Sequence, residues 1–389
     1  MPAILATLAA TWFSVLLSRK YPPIEGADRF LSIDGLRGYL ALFVFLHHSS
    51  IWYFYLRTGR WETPPSRLYA HLGESSVALF FMITGFLFYS RLIKARHRPF
   101  DWERLYVGRV LRLTPLYLFA IGLMLLIVFV KSAGVLHDSP GKLAQDVLRW
   151  LAFTMFGHPD LNGLQIADVA VAKVVWTLPY EWLFYLALPL FALTVGIRPP
   201  WPYLLIGWLA VATAVNRRFE PLILLMFAGG IIAAVLARYR GFSEFAASRA
   251  AALPALLSIA TAVALFPSAY GLAPFLLLTV FFCLVAAGND LFGLLTRPAA
   301  RKLGEMAYSL YLLHGLILYA TFNLILGAAR SRMLSPMAHW AIIIGIIPAL
   351  LLICQTTFAV IENPLMQQTR NVTGRLRSQN NPWRRQWSQ

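Results

Sequence analysis

Residues 112–131 read RLTPLYLFAIGLMLLIVFVK, an apolar run with a charge only at each end. As a helix rising about 1.5 Å per residue, such a run matches the roughly 30 Å hydrocarbon core of a bilayer. Comparable runs recur along the whole chain. They predict ten spanning segments, at about 36–56, 75–93, 112–131, 174–196, 201–215, 221–237, 251–267, 272–288, 304–327 and 338–361.

The composition supports this interpretation and excludes a soluble protein. Of the 389 residues, 59% are hydrophobic and 13% charged, about half the charge that a water-facing surface carries. We therefore predict an all-α, polytopic transmembrane bundle. Residues 1–18 are also apolar; we expect an interfacial or packed helix there, with an eleventh span as the alternative. The predicted organisation is an N-terminal apolar segment (1–29), a transmembrane domain (30–365) and a polar, basic cytoplasmic tail (366–389).

The net charge of +17 indicates the orientation of the chain in the membrane rather than binding to nucleic acid. Lys and Arg punctuate the apolar runs instead of clustering on one polar face. If both termini are cytoplasmic, 23 of the 34 basic residues fall on the inner side and 11 on the outer side. The positive-inside rule then predicts cytoplasmic termini. We expect a multi-pass protein of a bacterial inner (plasma) membrane. The long outer connection, about 132–173, is expected to act as a lid with a short helix of its own.

Ionisable residues near the first predicted span are candidates for function because burying them in lipid is costly. Asp34 is placed to pair with Arg37 at the helix entrance. Arg37 and His48 are eleven residues apart, so they lie on nearly the same helix face, about 16 Å apart along the axis. An imidazole in the outer half of a span suits proton transfer, whereas the adjacent His47 projects elsewhere. We predict catalytic roles for Asp34, Arg37 and His48.

Glu181 is a fourth catalytic candidate, in the fourth predicted span. Counting from the outer ends of the two spans puts Glu181 and His48 at similar depths. An acid and an imidazole at one level suggest that the acid orients the base. The alternative is a structural glutamate bonded to a neighbouring tyrosine.

Seven basic residues between Arg91 and Arg112 exceed the ordinary need of topology, although topology and anionic lipid explain them equally well. Because Arg binds phosphate in a bidentate manner, Arg104, Arg109 and Arg112 are candidates for binding a phosphorylated cytosolic ligand. The sequence contains no glycine-rich phosphate loop, HExxH motif or nucleophile-elbow serine. We predict no metal site, because Cys283 and Cys354 lie in apolar runs.

Six segments, in order, resemble the acyltransferase 3 family of integral membrane O-acyltransferases. Departures from the family pattern are Thr84 and Thr177 in place of Ser, an added Pro179, and Asn363 where Arg is common. The similarity covers nearly the whole chain after about residue 29. The matching segments are Ile33-Asp34-Gly35-Leu36-Arg37-Gly38 with His48, Val77 to Leu87, Arg109 to Tyr117, Trp176 to Tyr185, Gly304 to His314, and Ile361-Glu362-Asn363-Pro364.

The resemblance implies transfer of an acyl group, often acetyl, from cytosolic acyl-CoA to a hydroxyl of a cell-envelope glycan or related, lipid-linked acceptor. Acyl-CoA would be a co-substrate and no cofactor would be bound. The CoA phosphates would meet the arginines, and His48 would act as general base. Direct transfer and a covalent acyl-enzyme are both compatible with the sequence. Further candidates for the acceptor site or groove are Tyr185, Tyr308, Ser309, His314 and Glu362.

Two other classes of protein remain as alternatives. A proton-coupled secondary transporter could use His48, Glu181 and His314 as a relay, but the two halves of the chain show no convincing internal repeat. A non-catalytic membrane scaffold does not explain why histidines and a glutamate lie at membrane depth. The sequence therefore favours an enzyme.

Overall fold

The computed structural model describes residues 1–26 and 30–380, and over these residues the regular structure is helical apart from a single isolated β-bridge. Short 3₁₀ turns precede α7 and α11, and π-helical turns follow α14 and α16. The helices are α1 (Pro2–Lys20), α2 (Leu31–Thr58), α3 (Arg67–Lys94), α4 (Trp102–Lys131), α5 (Pro140–Leu151), α6 (Ala167–Ala170), α7 (Thr177–Thr194), α8 (Trp201–Asn216), α9 (Pro221–Leu236), α10 (Arg240–Ala247), α11 (Ala252–Leu265), α12 (Leu272–Ala286), α13 (Pro298–Glu305), α14 (Ala307–Tyr319), α15 (Ala328–Arg332), α16 (Pro336–Thr357), α17 (Asn363–Gln367) and α18 (Thr369–Asn380).

Each of the ten predicted apolar segments contains a helix, and the protein is a multi-pass integral membrane protein. Six helical stretches of the described chain are long and apolar enough to cross a bilayer, or seven if the bent pair α9–α10 counts as one span. The helices α8, α11 and α12 are shorter, and α2 carries charged and histidine side chains that lower its apolar character. Ten spans and cytoplasmic termini therefore stay predictions.

The N-terminal helix α1 is among the six stretches that meet the length of a span. It packs against α13 and α16 through a narrow face that includes Ala6, Ala10 and Leu17. The opposite face exposes large apolar side chains such as Leu8 and Trp12. One packed face and one apolar exposed face fit a helix surrounded by lipid, so an eleventh span remains open alongside an interfacial helix.

Helix α2 lies at the centre of the bundle, in contact with α3, α13 and α14. Glycines allow it to approach α13, and the turn that precedes α13, at backbone distance. A Cβ atom at Gly35 would lie 1.8 Å from the Leu295 carbonyl oxygen, and one at Gly304 would lie 1.9 Å from the Asp34 carbonyl oxygen. Small residues at helix contacts permit this close packing, which fixes the rotation of α2 and the direction of its functional side chains.

The connection 132–173 contains α5, which confirms that it carries a helix of its own. The fully buried Trp150 anchors this helix, because its carbonyl oxygen accepts a hydrogen bond from the Tyr117 hydroxyl. Asn162 ties the two ends of the connection together: its Oδ1 accepts from His137 N at 2.8 Å, and its Nδ2 donates to Val135 O at 2.7 Å. The connection is thus a packed unit, and its role as an outer lid stays a prediction.

One basic residue assigned to the inner surface is placed differently. Lys302 is buried, with 3% of its side chain exposed, and its Nζ lies 3.1 Å from the Glu305 carboxylate. The charge-counting rule treats every Lys as a surface anchor and does not anticipate a paired lysine inside a helix contact. Arg29, Arg384 and Arg385, which entered the same count, lie outside the described residues, as do 27–29 of the N-terminal segment and 381–389 of the predicted tail.

Candidate active site

A space of about 800 Å³, which includes its opening to solvent, lies among α2, α3, α4, α7 and α14; we call it the central cavity. Apolar side chains of α3 form much of its wall. Its polar side chains are those of Arg37, Thr84, Arg109, Arg112, Thr177, Glu181, Tyr185, Tyr308 and Tyr311. Nearly all of these residues belong to the segments that the sequence singled out.

Three guanidinium groups face one carboxylate in the central cavity, which makes it an anion-attracting site. The predicted pair between Arg37 and Asp34 is present at 4.0 Å. Arg109 lies over two aromatic rings, with its guanidinium carbon 5.0 Å from the centroid of Phe88 and 5.7 Å from that of Tyr185. Such contacts hold a guanidinium in place and leave its N–H groups directed at a ligand.

Two threonine hydroxyls organise the wall of the central cavity. Thr84 donates to the Glu181 carboxylate at 3.3 Å, and Thr177 shares a hydrogen bond with the Tyr311 hydroxyl at 2.8 Å. Tyr311 also donates to the Val174 carbonyl oxygen at 3.0 Å. Both threonines stand where the family pattern has serine, and their hydrogen bonds explain why an exchange that keeps the hydroxyl is compatible with the site.

Two further cavities adjoin the central cavity along the same arginines. The wide cavity, about 1600 Å³ including its opening to solvent, shares Arg37, Arg109 and Arg112 and also reaches Asp34 and Glu362. The tail cavity, about 990 Å³, is bordered by α4 and the C-terminal helices and contains Arg104 together with Arg109 and Arg112. Of the three predicted phosphate-binding arginines, two line all three cavities and Arg104 lines only the tail cavity. Together the cavities form a basic path from α18 to the centre of the bundle.

His48 lies next to a second histidine rather than an acid. Its Nδ1 is 3.0 Å from His314 Nε2 and 3.0 Å from the Val44 carbonyl oxygen. The His48 ring also stacks on His314, at a centroid distance of 5.0 Å, and on Trp61, at 6.0 Å. Its Nε2 has no hydrogen-bond partner among the described residues. We call His48, His314 and Trp61 the histidine pocket.

Glu181 does not occupy the position predicted for an orienting acid. Its carboxylate is bonded to Thr84 inside the central cavity, whereas the described partners of His48 are Val44 and His314. Helix depth was the basis of the prediction, but depth does not specify rotation: α7 faces α3 and α8, while α2 faces α14. Glu181 therefore belongs with the arginines.

The other predicted groove residues divide into two sets. Tyr185 and Tyr308 line the central cavity, and the Tyr308 hydroxyl donates to the Leu113 carbonyl oxygen at 3.0 Å. Ser309 is fully buried and its hydroxyl donates to the Glu362 carboxylate, so it is committed to the contact between α14 and the end of α16. His314 is also fully buried and belongs to the histidine pocket.

Trp61 is the residue of this region that the sequence did not indicate. It lies in the short connection between α2 and α3, and its ring contacts His48, Trp52 and Tyr55. An isolated tryptophan beside a predicted span is ordinarily read as an interfacial anchor, and only the folded connection brings it against the histidine. No signal in the sequence separates these two cases.

The fold and these sites together define a multi-pass membrane protein with a basic internal cavity beside a buried histidine pair. The family model of the acyltransferase 3 family, described as an acyltransferase domain, matches residues 30–357. The chain belongs to this family and is a membrane acyltransferase, and membership does not favour the transporter alternative. No curated protein and no solved structure matched the chain. The described residues include no group of three or more His, Cys, Asp or Glu arranged to hold a metal ion.

Proposed function

We propose that the protein transfers an acyl group, in the simplest case acetyl, from cytosolic acyl-CoA to a hydroxyl of a cell-envelope glycan or a lipid-linked relative. The observation that carries the proposal is that the basic central cavity lies directly beside the histidine pocket. A basic cavity suited to an anionic donor adjoins His314 through Tyr311, and His314 is bonded in turn to His48, whose Nε2 has no partner among the described residues.

The basic path supports a phosphorylated donor. Arg104 and the pair Arg109 and Arg112 would bind the phosphates of CoA, because guanidinium groups match phosphate oxygens in geometry and charge. The central cavity would receive the pantetheine arm past Arg37. Its apolar wall, formed by Phe80 and Leu87 among others, suits the uncharged part of that arm and the acyl group.

The chemistry assigned to His48 is general base catalysis. Nε2 removes the proton of the acceptor hydroxyl as its oxygen attacks the thioester carbonyl. The carbon–oxygen bond forms, the carbon–sulfur bond breaks, and the proton on His48 passes to the departing CoA thiolate. The products are the acyl ester and CoA thiol, and the enzyme returns to its starting state. Proton transfer of this kind typically contributes about 10²–10⁴-fold to the rate.

The proposed orientation follows from the charges. The basic path faces the cytoplasm together with both termini, ten helices span the inner membrane of a bacterium, and the acceptor arrives at the histidine pocket from outside. Cysteines introduced at Glu62, in the α2–α3 connection, and at His97, in the α3–α4 connection, test this topology. A membrane-impermeant maleimide should label only the first in intact cells; labelling of the second alone would reverse the orientation.

Replacing His48 with Ala tests the proposed reaction directly. Membranes that contain H48A and receive labelled acyl-CoA should transfer less than one hundredth of the wild-type label to hydroxyl acceptors, with protein level and detergent-extracted size unchanged. His339→Gln is the matched control. His339 is also buried in the bundle and bonded to α2, through Ser49 O at 2.8 Å, and Gln retains a donor for that bond. Undiminished transfer by H48A would refute the role of His48.

The acceptor can be identified by mass spectrometry of envelope glycans and lipids from cells with and without the gene. A hydroxyl-linked mass difference of acetyl or a longer acyl group is expected, and it should disappear in cells that express only H48A. Proton-driven solute uptake by liposomes with the purified protein, in the absence of acyl-CoA consumption, would instead favour a transporter.

A further inference from the structure

The contact between His48 and His314 joins two helices in the interior of the bundle. His314 is fully buried, and its ring is bordered by Phe45 and Tyr311, at centroid distances of 6.3 and 6.4 Å. The only titratable neighbour that faces this pair from α2 is His47, and the described contacts of either ring include no carboxylate. Since an unpaired imidazolium is costly in such surroundings, the resting pair is neutral.

Backbone carbonyl groups determine where the protons of a neutral pair lie. A carbonyl oxygen only accepts hydrogen bonds. The Leu310 oxygen lies 2.9 Å from His314 Nδ1, so this nitrogen carries the proton and His314 Nε2 carries a lone pair. The Val44 oxygen lies 3.0 Å from His48 Nδ1, so this nitrogen is also protonated. The His48 Nδ1–H group thus has two acceptors, Val44 O and His314 Nε2, and the lone pair of His48 lies on the unpartnered Nε2.

We infer that His314 is the positioning residue of the base: by accepting from His48 Nδ1–H it keeps the lone pair of His48 on Nε2, directed at the acceptor hydroxyl. The same contact supports His48 when Nε2 takes up the acceptor proton, because the imidazolium then donates a stronger hydrogen bond to His314 Nε2. A carboxylate has this role in hydrolytic triads. A neutral imidazole performs it without adding a charge to an apolar region.

The inference rests on the proposed function of His48, but its geometry differs from ordinary helix packing. A purely structural histidine needs only its bond to Leu310 O, as the serine and threonine residues of this bundle bond to their own helices. His314 makes that bond and also presents its second nitrogen to the candidate base on another helix. The two bonds require one specific tautomer at each ring, and that is the arrangement that general base catalysis by Nε2 needs.

Two substitutions at position 314 test the inference against a structural role. In His314→Gln the amide N–H can donate to Leu310 O while the amide oxygen accepts from His48, so both bonds of His314 are preserved. In His314→Met the volume is similar but no good acceptor remains. We expect H314Q to keep kcat within about tenfold of wild type, and H314M to lower kcat by about 10²-fold, the lower range of a proton-transfer contribution.

The donor site provides the discriminating readout. KM for acyl-CoA, and acyl-CoA binding measured by calorimetry, should be unchanged within about twofold in both variants, because His314 does not line the basic cavities. The double variant H48A/H314M should be no slower than H48A, since a positioning residue has no effect once the base is absent. Equal loss in H314Q and H314M, or weaker acyl-CoA binding in H314M, would assign His314 to structure.

Failure of the inference and failure of the proposed function give different results. If H48A keeps its transferase activity, the proposed base is wrong whatever position 314 does. If H48A is inactive while H314M matches wild type in kcat, the base stands and the positioning role of His314 is refuted. Wild-type-like membrane levels and gel-filtration profiles are required of every variant that enters this comparison.

Discussion

The central cavity and the histidine pocket adjoin each other on either side of Tyr311, yet they use opposite chemistry. The cavity contains three arginines and a glutamate, partly open and connected to two further basic cavities. In the histidine pocket, two imidazoles are hydrogen-bonded to each other and to backbone carbonyl groups, and an aromatic ring stacks on one of them. The charged side chains thus lie in the central cavity, where we propose that an anion binds. The histidine pocket is uncharged, and there a histidine nitrogen has to keep its lone pair.

This division has a physical reason. Counter-charges such as Glu181 and Asp34 offset the mutual repulsion of the guanidinium groups and so keep these groups together before an anion binds. A base, in contrast, is active only in its unprotonated form, and a carboxylate beside His48 would favour the protonated one. The placement of Glu181 with the arginines, rather than with His48, is consistent with both requirements.

The largest expected effect comes from Gly35, because its close contact fixes the position of α2, the helix that carries both Arg37 and His48. In Gly35→Ala the new methyl group would meet the Leu295 carbonyl oxygen, and backbone rather than a flexible side chain would have to move. Overpacking of this kind typically costs about 1–3 kcal/mol and displaces the helix that carries Arg37 and His48. We expect transfer activity to fall by more than about 10²-fold, with a lower thermal-unfolding midpoint in detergent.

Gly345→Ala is the control for this glycine. Gly345 lies inside α16, and a Cβ atom there would meet open space, so alanine should leave activity unchanged and favour the helix slightly. Equal tolerance of alanine at Gly35 and Gly345 would contradict the close packing of α2 on the turn that precedes α13.

The next effect separates the cavity from the histidine pocket. Arg37→Lys keeps the positive charge but removes the planar, bidentate donor group. A hydrogen bond to a charged group contributes about 1.5–3 kcal/mol, so KM for acyl-CoA should rise by about 10–100-fold while kcat changes little. Arg60→Lys, at an exposed position of the α2–α3 connection, should change neither value. A fall in kcat at unchanged KM would move Arg37 from donor binding to the chemical step.

Replacing Glu181 with its neutral amide also tests whether the central cavity and the histidine pocket act separately. Glu181→Gln keeps the contact with Thr84 but leaves three arginines without the carboxylate that faces them. We expect acyl-CoA to bind about tenfold more tightly, because the net positive charge of the cavity rises, and the donor KM to depend more steeply on salt. The pH profile of kcat should follow wild type, because the described partners of His48 do not include Glu181. A shifted profile would instead support direct coupling between the acid and the base.

The smallest effect concerns the 132–173 connection, where the titrating histidine His158 lies outside the spanning helices. His158 Nδ1 lies 3.4 Å from the Asp168 carboxylate, and this interaction raises the pKa of His158. A raised pKa means that the protonated pair stabilises the folded connection. This contribution is complete below the ordinary histidine pKa of about 6.5 and is lost as the pH rises through the raised value.

Hydrogen–deuterium exchange around residues 152–168, corrected for the intrinsic pH dependence, should therefore show less protection at high pH than at low pH. His158→Gln should remove most of that difference, because glutamine does not titrate. The histidine is partly exposed, so the change is expected to be modest. A connection that opens at low pH would show that another group controls it.

The sequence predicted particular parts of the site well and others not at all. The Asp34–Arg37 pair and the arginines of α4 follow from local spacing and from charge in an apolar chain, and the structure brings them to one set of cavities. The pairing of Glu181 with His48 did not appear, because depth along two helices leaves their rotation undefined. Ser309 illustrates the same limit: a hydroxyl in a motif looks available in the sequence but is bonded inside a helix contact.

A helical membrane protein and its family follow from the sequence alone, because apolar length and motif order are properties of the chain read along its length. The charge asymmetry predicts in addition which side of the membrane the basic residues face. Which side chains meet depends on the tertiary structure. It put Glu181 among the arginines, Trp61 over His48, and His314 at the nitrogen of the candidate base. These contacts depend on how each helix is rotated, and glycine-to-backbone packing between distant segments fixes that rotation.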